Sequence, residues 1–218
     1  MSRFRRKKIE ELSSSELLEE SEKAVQKSNW RKAAKYLIPY VEKHPSDIRA
    51  KKILARVFLA LNRPNDAAAV EESIMLENPN NAHAIGMHGV SLLNAGARDQ
   101  AISELKRSLE MEENAVIRGF LYLAQGKDIR ILDNGVTGIH KLIGQAKVRG
   151  WEDLMELIAI SCRANKAMVN VSDILEAIHI SMDELMDYAW KAANATNSNV
   201  SLVQIRNDLL LEFRKRVR

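Results

Sequence analysis

The chain has 218 residues, of which 46% are apolar and 28% are charged, a composition typical of a soluble globular protein. With only 9 glycines and 4 prolines, helices are favoured over a turn-rich all-β fold. The single cysteine, Cys162, excludes an internal disulfide framework, and no apolar run reaches the roughly 18 residues of a membrane span, so we expect a cytoplasmic protein.

The net charge of +4 is concentrated at the two ends of the chain. Residues 1–8 carry five positive charges, and the last eight residues carry a net charge of +3. The body between them therefore has a net charge of about −4. This distribution does not predict a nucleic-acid-binding face on the body of the protein.

Residues 1–13 are predicted to form a basic arm that leads into the first helix. Its positive charges are Arg3, Arg5, Arg6, Lys7 and Lys8. Such an arm can hold an anionic membrane surface, at about 1 kcal/mol per basic residue, it can contact RNA phosphates, or it can act as a solubilising tail. Phe4 is its only aromatic residue, so base stacking, and with it nucleic acid as a partner, is not favoured.

One pattern then repeats three times with a period of 34 residues, in blocks 14–47, 48–81 and 82–115. Three sets of equivalent residues share this spacing: Ala33, Ala67 and Ala101; the small residues Ser21, Ala55 and Gly89; and the turn residues Pro45, Pro79 and Glu113. Three blocks in phase are typical of a helical repeat array. Each block is predicted to form two helices, A and B; in the second block they cover about 47–61 and 66–77, separated by a break at 62–65.

These blocks resemble the tetratricopeptide repeat family, which has a small residue at the eighth position of the repeat, alanine at the twentieth and proline at the thirty-second. The resemblance covers 14–115, with departures: Lys51 replaces the usual aromatic residue, Glu71 stands where an apolar residue is expected, and Glu113 replaces the last proline. It implies a right-handed α-solenoid of three helix pairs. In this family the concave groove is lined by residues of the A helices. The equivalent positions here include Leu18, Glu22, Gln26, Arg49, Lys52, Arg56, Leu59, His83, Val90 and Asn94.

Three of these groove positions place positive charge on one stripe of one helix. Arg49, Lys52 and Arg56 have the spacing i, i+3, i+7, which suits an acidic peptide because charge-assisted hydrogen bonds contribute roughly 1.5–3 kcal/mol each. The alternative is a solvated basic face with acidic neighbours. The family's clamp for a C-terminal carboxylate needs lysine, asparagine and basic residues at positions where this chain has apolar or acidic ones, so we expect a mixed apolar and acidic ligand.

The repeat period ends after residue 115. We predict a helix at 116–125, of the kind that often caps an array of this family, and a separate, mostly helical C-terminal domain over 127–218, after an array domain at 14–126. Within it the sequence predicts further helices at 136–149, 151–164, 182–195 and 202–217, and a linker at 193–199. The helices at 182 and 202 are predicted from the capping-box pairs Ser181 with Glu184 and Ser201 with Gln204.

No arrangement of residues predicts catalysis, a cofactor or a metal site. The five histidines are scattered, the segment 135–138 lacks the lysine of a phosphate loop, and Cys162 lies in an apolar helix where a buried, inert thiol is expected. Residues 152–188 faintly resemble DsrE-like sulfur-transfer domains, with 166–171 as a short strand. The reactive cysteine of that family would fall near Asn170, so the resemblance implies that its chemistry is lost.

The sequence therefore predicts a non-enzymatic adaptor, scaffold or assembly factor that binds a protein or peptide segment in the array's groove. The last helix would dock it to a larger complex or to a second copy of the chain. Two alternatives remain open at this point. One is a module that binds membranes or nucleic acid through its basic termini, and the other is a degenerate protein of the sulfur-transfer kind.

Overall fold

The computed structural model describes residues 9–127, 131–132, 135–145 and 150–216. The contacts within the chain divide it into two compact units, 1–111 and 112–218. Residues 1–8, which include the charges of the predicted basic arm, lie outside the described residues. Among the described helices, none combines the length and the apolar character needed to cross a membrane.

The first unit is helical throughout its described part. After a short 3-10 turn it contains three helix pairs, which the 34-residue period predicts. The elements are the turn Ile9–Glu11 and helices α1 (Ser14–Gln26), α2 (Trp30–Lys43), α3 (Ile48–Ala60), α4 (Pro64–Glu77), α5 (Ala82–Asn94) and α6 (Arg98–Met111).

Local sequence signals set where these helices begin and turn. The carboxylate of Asp47 caps α3 by accepting a 2.9 Å hydrogen bond from the Ala50 N–H. Helix α4 starts at Pro64, two residues earlier than predicted, because proline is well suited to the first helical position. The residue that separates helix A from helix B is left-handed in every repeat: Ser28, Asn62 and Gly96, each 34 residues from the next. The repeat is therefore present in the backbone conformation as well as in the sequence.

Small residues allow the helices to pack closely. Ala33, Ala67 and Ala101 are fully buried on the B helices. On the A helices Ser21 and Ala55 are buried, and at the equivalent Gly89 a Cβ atom would lie only 2.9 Å from Leu105 Cγ. Helix α2 packs against both α1 and α3, and α4 packs against both α3 and α5. The B helices of the first two repeats are thus shared between their own repeat and the next, which is the stacking that makes a solenoid stable.

The second unit combines helices with a three-stranded antiparallel sheet of order β1-β3-β2. Central strand β3 pairs Leu211 with Val169 on one side and with Leu202 on the other. The elements are α7 (Ala115–Gln125), α8 (Gly135–Gln145), α9 (Trp151–Asn165), β1 (Met168–Asn170), α10 (Val171–Ile178), α11 (Met182–Ala195), β2 (Ser198–Ile205) and β3 (Asp208–Lys215).

The sheet is covered on both faces. On one face Leu211, Phe213 and Val169 join the main core of the unit, to which α8, α9, α10 and α11 all contribute. On the other face Tyr122 of α7 packs with Met168, Val203 and Leu210. Helix α7, which the sequence predicts as a cap on the array, is grouped by its contacts with the second unit and packs on β2.

The predicted amphipathic helix at 202–217 is wrong. The segment forms the hairpin of β2 and β3, with a tight turn in which Arg206 is left-handed, and Ser201 and Gln204 lie inside β2 and form no capping box. Because both faces of the sheet are buried, the apolar residues of the hairpin do not alternate cleanly, and their spacing mimics that of a helix. The proposed docking through a last helix loses its basis.

The predicted linker at 193–199 is also wrong. Helix α11 extends to Ala195 and β2 begins at Ser198, so only two residues separate them, and both Ala193 and Ser198 are fully buried. The short strand predicted within 166–171 is confirmed as β1. Helix α11 is confirmed together with its capping box, in which Ser181 accepts from the Glu184 N–H at 3.2 Å.

Candidate partner-binding groove

The predicted groove residues lie on the three A helices, α1, α3 and α5, and most are accessible. Those exposed are Gln26, Arg49, Lys52, Arg56, His83 and Asn94, and those half-buried are Leu18, Glu22 and Leu59. Val90 is only 5% exposed, so it belongs to the packing of α5 and is not available to a ligand.

The structure brings groove positions of the first two repeats together. Arg49 Nη2 of α3 lies 3.6 Å from Glu22 Oε1 of α1, although the two residues are 27 positions apart in the chain. The Arg49 side chain is nevertheless 83% exposed, so this ion pair is screened by water and contributes little to stability. It shows that these two A helices present their predicted groove residues side by side.

The other two cations of the α3 stripe make no direct ion pair with the described acidic residues. Among the described residues no ion pair is found for Lys52 or Arg56, and both side chains are exposed. The positive charge of Lys52 acts on Glu71, a buried residue of α4. Burial raises the pKa of the Glu71 carboxyl, and Lys52 partly offsets the rise. The stripe therefore keeps an excess of positive charge.

Three polar side chains of α4 and α5 are buried, which the sequence analysis did not predict. Glu71 and His88 are 4% and 8% exposed, and Ser91, which the sequence did not single out, is 1% exposed. Each has a buried polar atom without a hydrogen-bond partner among the described residues: Glu71 Oε2, His88 Nδ1 and Ser91 Oγ. Burial lowers the pKa of His88, while Glu104 and Glu72 act in the opposite direction. Polar residues at positions where helices normally face the core were the signal that could have identified these buried side chains.

Within each repeat the end of helix B is joined to the start of helix A by a polar contact. His44 Nε2 lies 2.7 Å from Ser14 Oγ in the first repeat, and Ser108 Oγ donates to the Ala82 carbonyl at 2.7 Å in the third. In the second repeat the buried Lys51 forms an ion pair with Glu77, which explains how a lysine replaces the aromatic residue expected there. These contacts hold the helix pairs in a fixed arrangement before any ligand binds.

Paired helices at a 34-residue period, a left-handed residue at the same place in every repeat and buried small residues at the eighth and twentieth positions together identify the repeat. The array is tetratricopeptide-like. No protein-family model matches the sequence, and no curated protein matches it.

Several solved tetratricopeptide-like structures are similar to this chain. MamA from Desulfovibrio magneticus RS-1 is 14% identical over 54% of this chain and 67% of its own, with a TM-score of 0.48. The Sgt2 TPR domain from Aspergillus fumigatus is 16% identical over 52% and 77%, with a TM-score of 0.45. The first TPR of Spaghetti (RPAP3), solved with the HSP90 peptide SRMEEVD, is 16% identical over 53% and 94%, with a TM-score of 0.45. At such values the assignment of this array rests on its own repeat geometry.

The second unit contains the residues that an enzyme of the sulfur-transfer kind would need to use. Asn170, at the position of that family's reactive cysteine, caps α10 by accepting a 3.0 Å hydrogen bond from the Ser172 N–H. Cys162 is fully buried in α9, and burial raises the pKa of its thiol to about 12. Among the described residues, no group of three histidine, cysteine or acidic side chains could hold a metal ion.

We expect Cys162 to resist alkylation in the folded protein. A thiol with a pKa of about 12 is almost entirely protonated at pH 8, and only the thiolate is a nucleophile. Iodoacetamide labelling followed by mass spectrometry should give slow modification under native conditions and complete modification in denaturant. Rapid labelling of the native protein would reopen the sulfur-transfer alternative.

Proposed function

We propose that the array binds an extended, partly acidic segment of a protein partner along α1, α3 and α5, and that the protein is a non-enzymatic adaptor or assembly factor. The observation that carries this proposal is the exposed stripe of Arg49, Lys52 and Arg56 on α3. Acidic side chains of the partner would lie opposite the stripe. A basic or polar residue of the partner would lie opposite Glu22 of α1.

The rigidity of the array supports the same function. Ligand binding to a groove that is already formed avoids much of the entropy loss that accompanies the ordering of a flexible site. The polar contacts within each repeat and the shared B helices provide that order.

The single, protonated thiol of Cys162 is consistent with a reducing compartment, and we propose the cytoplasm as the location.

The test is a crosslinking pull-down from the native source with the intact protein and with the variant Arg49→Glu, Lys52→Glu, Arg56→Glu. We expect the variant to lose the partner, with an affinity lower by about tenfold or more, because every attraction in the stripe becomes a repulsion. The matched control is Arg31→Glu, Lys35→Glu, Lys106→Glu, which changes the same charge at exposed positions of the B helices and should retain the partner. Circular dichroism would verify that all three proteins are equally folded.

The outcome also separates the proposal from its main alternative. Retention of every partner by the stripe variant would contradict a binding site in the groove. If binding instead disappears on deletion of residues 1–8 and falls steeply with added salt, the protein acts through its basic terminus on an anionic surface. Vesicles with and without anionic lipid would then distinguish a membrane from a protein partner.

A further inference from the structure

An open cavity lies within the second unit, and all of its described lining residues belong to that unit. It is formed by the last turns of α9, the two residues before β1 and the end of β3, and its volume of about 720 Å³ is in the range of small-molecule sites. Its described lining has one acidic residue, Glu212, and five basic ones. The basic residues are Lys127, Arg163, Lys166, Arg214 and Lys215.

Arg214 is held in place and still has an unused donor. Its Nε lies 2.8 Å from Glu212 Oε2, and its guanidinium stacks 4.8 Å from the ring centre of Tyr122. Among the residues that the structure describes, no hydrogen-bond acceptor is found for its buried Nη2 atom. A buried donor without an acceptor is unfavourable and rare, so a ligand oxygen that reached this atom would be stabilised.

The carboxylate that pairs with Arg214 also accepts hydrogen bonds from two hydroxyl groups. Glu212 Oε2 is shared between Arg214, the Tyr122 hydroxyl and Ser201 Oγ, which donates to it at 3.3 Å. Lys127 Nζ stacks on the same Tyr122 ring at 4.2 Å. Because the described lining holds five basic residues and one acidic residue, the cavity retains positive charge.

A second arginine is also fixed before any ligand binds. Arg163 Nη1 donates to the Thr196 carbonyl and to Ser198 Oγ, the latter at 3.2 Å, which ties the end of α9 to the start of β2. Arginine presents its donors in a planar fork that matches the oxygens of carboxylate and phosphate groups. A guanidinium that is already oriented loses less entropy when it binds such a group.

The rest of the wall is apolar. Ile160 of α9 is 52% exposed, and it lines the cavity together with Met168 and Phe213. Ala164 and Ala167 add further small apolar surface. A ligand that covers Ile160 would remove this surface from water.

We propose that this cavity binds a small organic anion, with carboxylate or phosphate oxygens at the arginine side and an apolar body against Ile160 and Met168. The site is independent of the groove of the array. It would make the second unit a ligand-binding module attached to a partner-binding one.

The test is a titration of the full-length protein, followed by nuclear magnetic resonance of its backbone amides, with four probes: benzoate, phenyl phosphate, inorganic phosphate and benzylamine. We expect saturable binding of benzoate or phenyl phosphate with shifts at 162–168 and 212–215. Inorganic phosphate should bind about tenfold more weakly because it lacks the apolar body, and benzylamine should not bind. Comparison of the two organic anions shows which headgroup the site prefers.

Substitutions of cavity residues test whether the anion binds in this cavity. Arg214→Lys keeps the charge but removes the fork, and it should weaken binding about tenfold. Because Arg214 also packs on Tyr122, a second variant, Lys166→Gln with Lys215→Gln, changes only exposed residues and should weaken binding about threefold. Lys141→Gln, an exposed lysine of α8 outside the cavity, is the matched control and should bind as the wild type does.

The pH dependence of benzoate binding provides an independent test of the proposed site. Burial raises the pKa of Glu212 to about 6; Lys127, Ser201 and Arg118 lower it, and Glu113 raises it. As the pH falls from 7.5 to 5.5 this carboxylate gains a proton while benzoate stays ionised, so benzoate binding should strengthen by about threefold. Binding that is absent, that is unchanged in both variants, or that shifts amides elsewhere would overturn the proposal.

Discussion

Replacement of Gly119 by alanine is expected to lower the free energy of unfolding of the second unit by about 3 kcal/mol. Glycine in the interior of a helix is normally a weak point, and its change to alanine stabilises a helix by up to about 1 kcal/mol. At Gly119 in α7 we expect the opposite effect, a loss of stability. A Cβ atom at Gly119 would lie 1.9 Å from the carbonyl oxygen of Gln204 and 3.0 Å from its carbonyl carbon, far inside contact distance.

The clash cannot be relieved by a side-chain movement, because the opposing atoms belong to the backbone of β2. Gln204 is held in register by its pairing with Leu209 of β3, so α7 would have to move away from the sheet. That movement would separate the fully buried Tyr122 from Val203 and Leu210. The loss of these contacts is the physical origin of the predicted destabilisation.

The measurement is urea denaturation followed by tryptophan fluorescence in a Trp30→Phe background, in which Trp151 and Trp190 report on the second unit. The matched control is Gly144→Ala in α8, where a Cβ atom would meet nothing within 4 Å, so stability should stay equal or rise. Equal behaviour of the two variants would contradict the packing of α7 on β2.

The array was predictable because its information is local and repeated. The small residues at 34-residue spacing, the proline and asparagine breaks and the cap of α3 each act within a few positions of the chain, and three copies confirm one another. The start of α4 at Pro64, two residues before the predicted start, reflects the suitability of proline for the first helical position.

The second unit was less predictable because its structure depends on distant partners. The hairpin of β2 and β3 has a helix-like apolar spacing only because α7 covers one face of the sheet and four helices cover the other. Nothing local to 198–215 indicates that both faces will be buried. The cavity could not be predicted from the sequence either, because residues that form and support it are far apart in the chain. Tyr122 and Glu212, for example, are 90 positions apart and meet only in the folded chain.

Replacement of Glu71 by leucine is expected to raise the free energy of unfolding of the first unit by about 2 kcal/mol at pH 7.5. Glu71 stands at a position where the repeat normally has an apolar residue, and Glu71 Oε2 has no hydrogen-bond partner among the described residues. Leucine removes the desolvated carboxylate and fills similar space. Glu110→Leu on the exposed surface of α6 is the matched control and should change stability by less than about 0.5 kcal/mol.

The stabilisation by leucine should depend on pH in a defined direction. Burial raises the pKa of Glu71 above the ordinary value of about 4.3, so the folded state is penalised only while this carboxyl is ionised. The penalty is complete above the folded pKa and disappears as the pH falls towards the unfolded value. The difference in unfolding free energy between Glu71→Leu and the wild type should therefore be largest at pH 7.5 and shrink at pH 5.

His88 does not obscure this comparison. Burial lowers its pKa, so the folded chain loses stability as the unfolded chain takes up a proton below about pH 6.5, but both proteins carry the same histidine and its contribution largely cancels in their difference. A constant difference across pH would mean that the pKa of Glu71 is the same in the folded and the unfolded chain. A less stable leucine variant would mean that the attraction between Glu71 and Lys52 outweighs the burial of the carboxylate, in which case Glu71 positions the central cation of the groove.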